Sequence, residues 1–318
     1  MTRALLRRFA ETAVLLGLVS FAIYGLIGLM PGDPIDLMIS ADPRFTSEDA
    51  ARLKALYGLD RPLLERYANW LRAALTGDFG YSRLYGQPVL EVLGPRLLNT
   101  VTLMAASLVL ALALALPAGI LAALRPGSRL DAALNLLAFA AFSVPSFWLA
   151  LMLIILFAVE LGWLPAGGVA SVGGGGVLDR LRHLVLPVAT LTLLTAGTFL
   201  RFSRAALREV LREDFIRTAR AKGCSTTRIV LGHALPNALV PILTVVALHF
   251  GTLLSGALVV ETVFAYPGMG KLIYEAILGN DYNLALAALM LGTLVTLLAN
   301  LGADLIQLRI DPRVREGV

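Results

Sequence analysis

The chain has 318 residues, a mass of 33.9 kDa and a formal net charge of +5. Apolar residues make up 58% and charged residues 15% of it, against roughly 45–50% and about 25% in soluble globular domains, so the composition excludes a soluble protein and an intrinsically disordered one. The single cysteine, Cys224, excludes an internal disulfide and a metal site built from several cysteines.

Six uncharged, apolar runs are long enough to cross a bilayer, which takes roughly 20 helical residues. They are Ala13–Met30, Thr100–Leu124, Ala132–Val159, Leu184–Leu200, Ala238–Val260 and Leu284–Ala303. Pro145 lies near the middle of the third run, where its missing backbone donor predicts a kink. The first run follows three arginines, as a signal peptide does, but it lacks a small-residue cleavage site and is predicted to be a retained helix.

Basic residues predict the orientation of these spans. One side of the membrane holds the N-terminus, segments 125–131 and 201–237 and the C-terminus, with 16 Arg and Lys; the other side holds segments 31–99, 160–183 and 261–283, with 11. Eight of those 11 lie in the long 31–99 segment, and long segments are exported largely regardless of their charge. The positive-inside rule therefore predicts that both termini are cytoplasmic.

This topology divides the chain into four parts. They are an N-terminal segment with the first helix at 1–30, an exported region at 31–99, a five-helix core at 100–308 and a cytoplasmic tail at 309–318. Within the exported region, turn signals bound two predicted helices, Ala50–Tyr57 and Pro62–Leu75. The glycine-rich stretch Pro165–Gly176 is predicted to be a mobile outer loop.

Motifs for nucleotide binding and hydrolysis are missing from the sequence. Gly268-Met269-Gly270-Lys271 approaches a P-loop, but its spacing is wrong and Leu272 follows the lysine. Neither H-E-x-x-H nor G-x-S-x-G occurs, which argues against a membrane protease or esterase. We therefore expect no catalytic residue, metal or cofactor in this chain.

The cytoplasmic segment 201–237 carries the strongest signal. Arginines recur there every three or four residues and predict a basic stripe on a helix that leaves the fourth span, which an anchor contacting lipid phosphates would explain. The stripe consists of Arg201, Arg204, Arg208 and Arg212. Beyond it, Asp214 is predicted to cap a short helix, Phe215–Lys222, that Gly223 ends. A second helical stretch, Thr227–Leu235, is predicted to end at Pro236.

A short, sharply bounded helix outside the bilayer has no evident role in spanning it. With the small residue Ala219 between Phe215 and Lys222, such a helix suits insertion into a groove on a soluble partner.

The same segment carries a specific resemblance. The run Arg217–Gly223 (R-T-A-R-A-K-G), followed by Leu235-Pro236, resembles the E-A-A-x-x-x-G and I-x-L-P motifs of bacterial ABC importer permeases. The run His233–Ala238 (H-A-L-P-N-A) is similar to the peptide/nickel branch, the dipeptide and oligopeptide permeases of the DppB/OppB type. Arg217 stands where the general motif has Glu, and Gln307 stands where the family has Tyr.

The resemblance implies an all-α polytopic membrane protein with six transmembrane helices, a MetI-like permease fold and a small exported region after the first helix. It also implies a permease subunit in the bacterial inner membrane that does no covalent chemistry. The implied partners are a homologous second permease, two ABC ATPase subunits that carry ATP and Mg²⁺, and an extracytoplasmic binding protein. The residues implied to couple the path to the ATPases are Asp214, Phe215, Arg217, Thr218, Ala219, Arg220, Ala221, Lys222, Gly223, Leu235 and Pro236.

Passage of di- or oligopeptides requires a path of modest polarity. Candidate path residues on the fifth span are Thr244, His249, Thr252 and Ser255, with burial against other helices as the alternative. The same architecture serves glutathione and nickel chelates in this branch, so the substrate stays open. A gradient-driven secondary transporter is the competing class, and six spans without a visible internal repeat argue against it.

Overall fold

A computed structural model describes residues 2–29 and 61–310 of the chain, without the side chains of 2–6, 247–248, 250–256 and 303–310. The predicted helix Ala50–Tyr57 and residues 311–318 of the predicted tail lie outside the described residues.

The described residues are mainly helical, as the fold class predicted. The α-helices are α1 Thr2–Gly28, α2 Leu63–Leu75, α3 Val89–Leu124, α4 Arg129–Ser143, α5 Ser146–Leu153, α6 Val177–Val210, α7 Asp214–Ala221, α8 Thr226–Ile229, α9 Leu235–Val263, α10 Met269–Leu278 and α11 Tyr282–Ile310. Two π-helical segments, π1 Ile154–Glu160 and π2 Val230–Ala234, continue α5 and α8. A hairpin that the sequence did not predict pairs β1 Tyr81–Ser82 with β2 Gln87–Pro88.

Five helical stretches among the described residues are long and apolar enough to cross a membrane. They are Arg7–Gly28, Val89–Leu124, Val177–Val210, Thr226–Val246 and Tyr282–Gly302. A sixth span results if α4 and the α5–π1 pair count as one bent element. Within the described residues, each predicted apolar run overlaps one of these elements, which confirms the six-helix fold class.

The third span bends far more than the predicted kink. The helical axes on either side of Val144 and Pro145 differ by 101°. Val144 is extended, with φ −83° and ψ 126°, because a residue that precedes proline is sterically disfavoured from the helical region. Helix α5 then starts at Ser146 with Pro145 in its N-cap position. The break is therefore the end of one helix and the start of another.

The fourth span is also longer than predicted. Helix α6 covers Val177–Val210, whereas the apolar run covers Leu184–Leu200. The added turns carry charged residues, and these residues ended the uncharged run. A helix accommodates charged residues wherever its ends leave the apolar layer. As a result, α6 reaches to within three residues of α7.

The described residues form two compact units, of which the first comprises residues 100–267 and 298–310. Within this unit, α6 packs against both α4 and α9. At its contact with α4, a Cβ atom added to Gly197 would lie 2.7 Å from the carbonyl oxygen of Ala138. Only a glycine permits so close an approach of the two backbones.

The glycine-rich stretch Pro165–Gly176 is fastened to this first unit, contrary to the expectation of a mobile loop. The Gly168 N–H donates to the Phe264 carbonyl at 2.8 Å. Asp179 accepts hydrogen bonds from the backbone N–H and the hydroxyl of Ser171, at 2.8 and 2.7 Å. These contacts hold the stretch at Gly168 and Ser171, while residues 172–176 are exposed.

The second unit comprises residues 2–29, 61–99 and 268–297. Its apolar core joins residues from α1, α3, α10 and α11, among them Val89, Leu272 and Leu284. The hairpin is tied to the α10–α11 connection, because the Ser82 hydroxyl donates to Asp281 Oδ2 at 2.6 Å.

Replacing Gly197 by Ala should destabilise the first unit by about 1–3 kcal/mol, the usual cost of forcing an extra carbon into a packed contact. The matched control is Gly25→Ala, since Gly25 lies in helix α1 with nothing within 4 Å of an added Cβ. There the better helix propensity of alanine should leave stability unchanged or raised. Thermal melting in detergent compares the two, and equal melting temperatures would contradict the close contact.

Candidate functional site

The short helix α7 presents two different faces. Ile216 is fully buried and Ala219 is 6% exposed. Both pack in one apolar cluster with residues of α3, α6, α8 and α9, and the other buried members are Ala123, Ala206, Leu207, Ile229, Ala234, Ala238 and Ile242. The inner face of α7 therefore belongs to the core of this chain.

The outer face of α7 is exposed, and three of its seven exposed residues are basic. Its exposed residues are Asp214, Phe215, Arg217, Thr218, Arg220, Ala221 and Lys222. Arg217 Nη1 donates to Asp214 Oδ1 at 3.0 Å on the surface. The interpretation of Ala219 as a small residue that makes room for a partner is corrected, because its side chain faces inward.

Both ends of α7 are well defined. Glu213, not Asp214, occupies the N-cap position, and it makes no side-chain capping bond. At the other end Gly223 has a φ of +77°, which confirms the predicted left-handed stop. The Gly223 N–H donates to Arg220 O at 2.9 Å and the Cys224 N–H donates to Ala219 O at 3.1 Å, the bonds of a Schellman motif.

The second predicted helix does not end at Pro236. Helix α8 leads through π2 into α9 without interruption, and Pro236 lies in the first turn of α9. Proline lacks the N–H that a regular α-helix would use at this point. The wider π turn accommodates that loss, with the Leu235 N–H donating to Val230 O. Leu235 is half-buried and Pro236 is exposed.

Two arginines of the predicted basic stripe make contacts within the protein. The Arg201 guanidinium lies 4.4 Å from the centre of the Phe139 ring, and Arg204 forms an ion pair with the buried Asp131. The sequence interpretation missed Asp131. Its signal was the pattern Ser128-x-x-Asp131, since the Ser128 hydroxyl accepts from the Asp131 N–H at 3.2 Å as in a capping box.

The candidate path residues are only partly described. Thr244 is half-buried and donates to Val240 O of its own helix at 3.1 Å. His249 Nδ1 lies 3.1 Å from Val245 O, and its ring packs edge-to-face on Phe199 at 5.5 Å between centroids. The side chains of Thr252 and Ser255 lie outside the described residues. The role of all four in a path remains a prediction.

A second polar cluster joins the hairpin to α10 in the second unit. The Tyr85 hydroxyl donates to Glu275 Oε2 at 3.1 Å, and Lys271 donates to Glu275 Oε1. Burial raises the pKa of the Tyr85 phenol. Burial also acts to raise the pKa of Glu275, but the hydrogen bonds from Lys271 and Tyr85 outweigh it and hold that pKa below its ordinary value.

An open cleft of about 490 Å³ adjoins this cluster. Its lining consists of Leu84, Tyr85, Tyr274, Glu275, Leu278 and Gly279. Across residues 2–29 and 61–310, no group of three or more His, Cys, Asp or Glu side chains is placed to hold a metal ion.

Nearly the whole chain matches two family models of the same kind of transport membrane component. Residues 115–316 match the family model described as binding-protein-dependent transport system inner membrane component. Residues 1–104 match the model of the N-terminal part of the same membrane components.

Several curated relatives are similar over nearly their full length. The oligopeptide transport system permease protein AppB of Bacillus subtilis is 36% identical, covering 97% of each chain. The di/tripeptide transport system permease protein DppB of Pseudomonas aeruginosa is 37% identical over 93% of this chain and 94% of its own. The glutathione transport system permease protein GsiC of Escherichia coli K12 is 36% identical over 99% of each.

A solved structure supports the fold. An inward-facing structure of the MetNI methionine ABC transporter aligns with 70% of this chain and 97% of the matched chain, with a TM-score of 0.59 and 21% identity. The MetI-like fold expected from the resemblance is thereby confirmed.

Replacing Ile216 by Ala should loosen α7 from the core at a cost of about 2–5 kcal/mol, the range for large-to-small changes at buried positions. The matched control is Phe215→Ala, because Phe215 is 42% exposed and surface changes typically stay within about 0.5 kcal/mol. Hydrogen exchange of the backbone amides at 214–224 reports the difference. Equal exchange rates in the two variants would show that α7 is not held by its inner face.

Proposed function

The chain belongs to the family of binding-protein-dependent transport system inner membrane components, and from that premise we propose that α7 couples a peptide path to partner ATPases. The protein is a multi-pass membrane permease subunit that functions within an ABC importer complex.

The observation that carries the coupling proposal is the two-faced arrangement of α7. Its inner residues Ile216 and Ala219 are fixed in the core, so the helix moves with the helices that it packs on. Its outer face offers an aromatic side chain, Phe215, among basic side chains. A helix of this kind fits a groove on a soluble subunit that combines apolar and acidic side chains.

The residues that we propose for ATPase contact are those of the outer face and its termination. They are Asp214, Phe215, Arg217, Thr218, Arg220, Ala221, Lys222 and Gly223. Ala219 acts from the inner side, as part of the anchor. Leu235 and Pro236 act through the π2–α9 junction, which fixes where the segment returns to the membrane.

Short peptides are the proposed substrates. The relatives AppB, DppB and GsiC are named for oligopeptides, di- and tripeptides, and glutathione, all of which carry amide groups and charged termini. Glutathione import is the alternative within the same architecture, and nickel chelates are a second one. Mass spectrometry of the ligand that the cognate binding protein retains on purification separates these alternatives.

We further propose the complete assembly and its orientation. A homologous permease completes the path, two ATPase subunits supply ATP and Mg²⁺ sites, and an extracytoplasmic binding protein delivers substrate. The basic segment 201–237 then lies in the cytoplasm and the 31–99 and 261–281 segments lie outside. The cleft beside Tyr85 and Tyr274 is a candidate contact for the binding protein, because its rim includes exposed apolar side chains such as Leu84 and Leu278.

Replacing Gly223 by Val should uncouple the complex while leaving its assembly intact. A β-branched residue at a φ of +77° is strained, so the end of α7 must rearrange. We expect stimulation of ATP hydrolysis by the cognate binding protein to fall roughly fivefold or more. Gly232→Val is the matched control, since Gly232 also has open space around an added Cβ but no positive φ. Normal stimulation in both variants would remove Gly223 from the coupling site.

Orientation is tested by thiol labelling in intact cells. Cys224 is first replaced by Ser, and single cysteines are then placed at the exposed positions Tyr81 and Thr227. An impermeant reagent should label the Tyr81→Cys variant directly and the Thr227→Cys variant only after permeabilisation, as the positive-inside distribution predicts. The reverse labelling order would contradict the proposed orientation.

A further inference from the structure

A bidentate ion pair joins α4 to α6 near the end of α6 that leads to α7. Arg204 Nε donates to Asp131 Oδ1 at 2.5 Å and Arg204 Nη2 donates to Asp131 Oδ2 at 2.7 Å. Asp131 is 4% exposed. Two parallel bonds between a planar guanidinium and a carboxylate define an orientation as well as a distance.

The carboxylate is also fixed from its own side. The Gly127 N–H donates to Asp131 Oδ2 at 2.9 Å, and Asn135 Nδ2 donates to Asp131 Oδ1 at 2.8 Å. Each carboxylate oxygen thus accepts one bond from Arg204 and a second one from either Gly127 or Asn135. The carboxylate cannot follow Arg204 without moving the start of α4.

Two further contacts extend the junction along the same pair of helices. Arg201 lies over the Phe139 ring, and Gly197 meets the backbone of Ala138. Helix α6 is therefore held against α4 over about two turns, from Gly197 to Arg204.

The next turn of α6 packs against α7. Ala206 and Leu207 follow Arg204 by two and three residues, and both belong to the apolar cluster that buries Ile216 and Ala219. A displacement of α7 therefore acts on α6 through Ala206 and Leu207, within one turn of the ion pair. Whether it reaches α4 depends on the stiffness of the junction at Asp131 and Arg204.

We infer that Asp131 and Arg204 are positioning residues that transmit movement of α7 to α4, an inference that rests on the proposed coupling function. Stability alone does not account for the pair, because well-packed apolar residues often replace buried ion pairs at no cost. A bidentate, fully hydrogen-bonded pair also fixes the orientation of α4 relative to α6.

The test separates positioning from stability with a double variant. Asp131→Asn and Arg204→Gln each leave one charge unpaired and should lower the melting temperature of the assembled complex, whereas the double variant removes both charges and should largely restore it. Arg204→Lys keeps the charge but not the planar fork. Arg129→Gln is the control, because it removes an exposed basic side chain two residues from Asp131.

The readout is ATP hydrolysis by the reconstituted complex, measured as phosphate release with and without the cognate binding protein as purified. We expect the double variant to melt like wild type and yet to lose about fivefold in stimulation, the lower range of coupling between protein sites. Arg204→Lys should also lose stimulation with assembly intact, and Arg129→Gln should behave as wild type.

Two results would overturn the inference. A double variant that regains both melting temperature and stimulation shows that the pair is structural only, and it leaves the proposed function standing. A wild-type complex that the binding protein does not stimulate contradicts the proposed function and this inference together.

Discussion

Backbone N–H and C=O groups have no water to bond with inside a bilayer, so a spanning segment must satisfy them internally. Almost every feature of this chain follows from that constraint. Its apolar stretches are helices, and its departures from regular helix are few and local. At Pro145 the chain ends one helix and caps the next, and at Pro236 a π turn takes up the missing donor. The segments between the apolar runs are free of that constraint, and the short helix α7 lies in one of them.

The positions of the spans follow from the sequence because the apolar layer of a bilayer demands an uncharged run of roughly 20 helical residues. Their ends do not, because a helix continues past the apolar layer at no cost in backbone bonding, as α6 does at both ends. The position of the bend at Pro145 could be predicted, because proline removes one backbone bond and restricts the residue before it. The bend angle could not be predicted, because packing determines it. The hairpin at Tyr81–Pro88 gave no alternating pattern because each strand has only two residues.

The candidate site shows a similar division. The Gly223 stop and the bounds of α7 could be predicted within a residue, because local backbone chemistry determines them. The inward direction of Ala219 could not, because an amphipathic helix of eight residues does not reveal which neighbour supplies its core. Asp131 was missed because its partner Arg204 lies 73 residues away. A stripe of arginines gives no indication of which member faces a carboxylate from another helix.

The burial of Ile216 and Ala219 also bears on how partner subunits assemble with this chain. A loop that folds only on contact gives up part of its binding energy to ordering, roughly 1–2 kcal/mol for each residue whose backbone becomes fixed. Helix α7 has eight residues and is already ordered by packing within its own chain. The surface proposed to dock on a partner subunit is therefore preformed. Association can then proceed as rigid-body docking, at a rate governed by encounter and charge rather than by folding. In the proposed docking of α7 on an ATPase subunit, the outer face makes the contact, and the buried inner face lowers the entropy that docking costs.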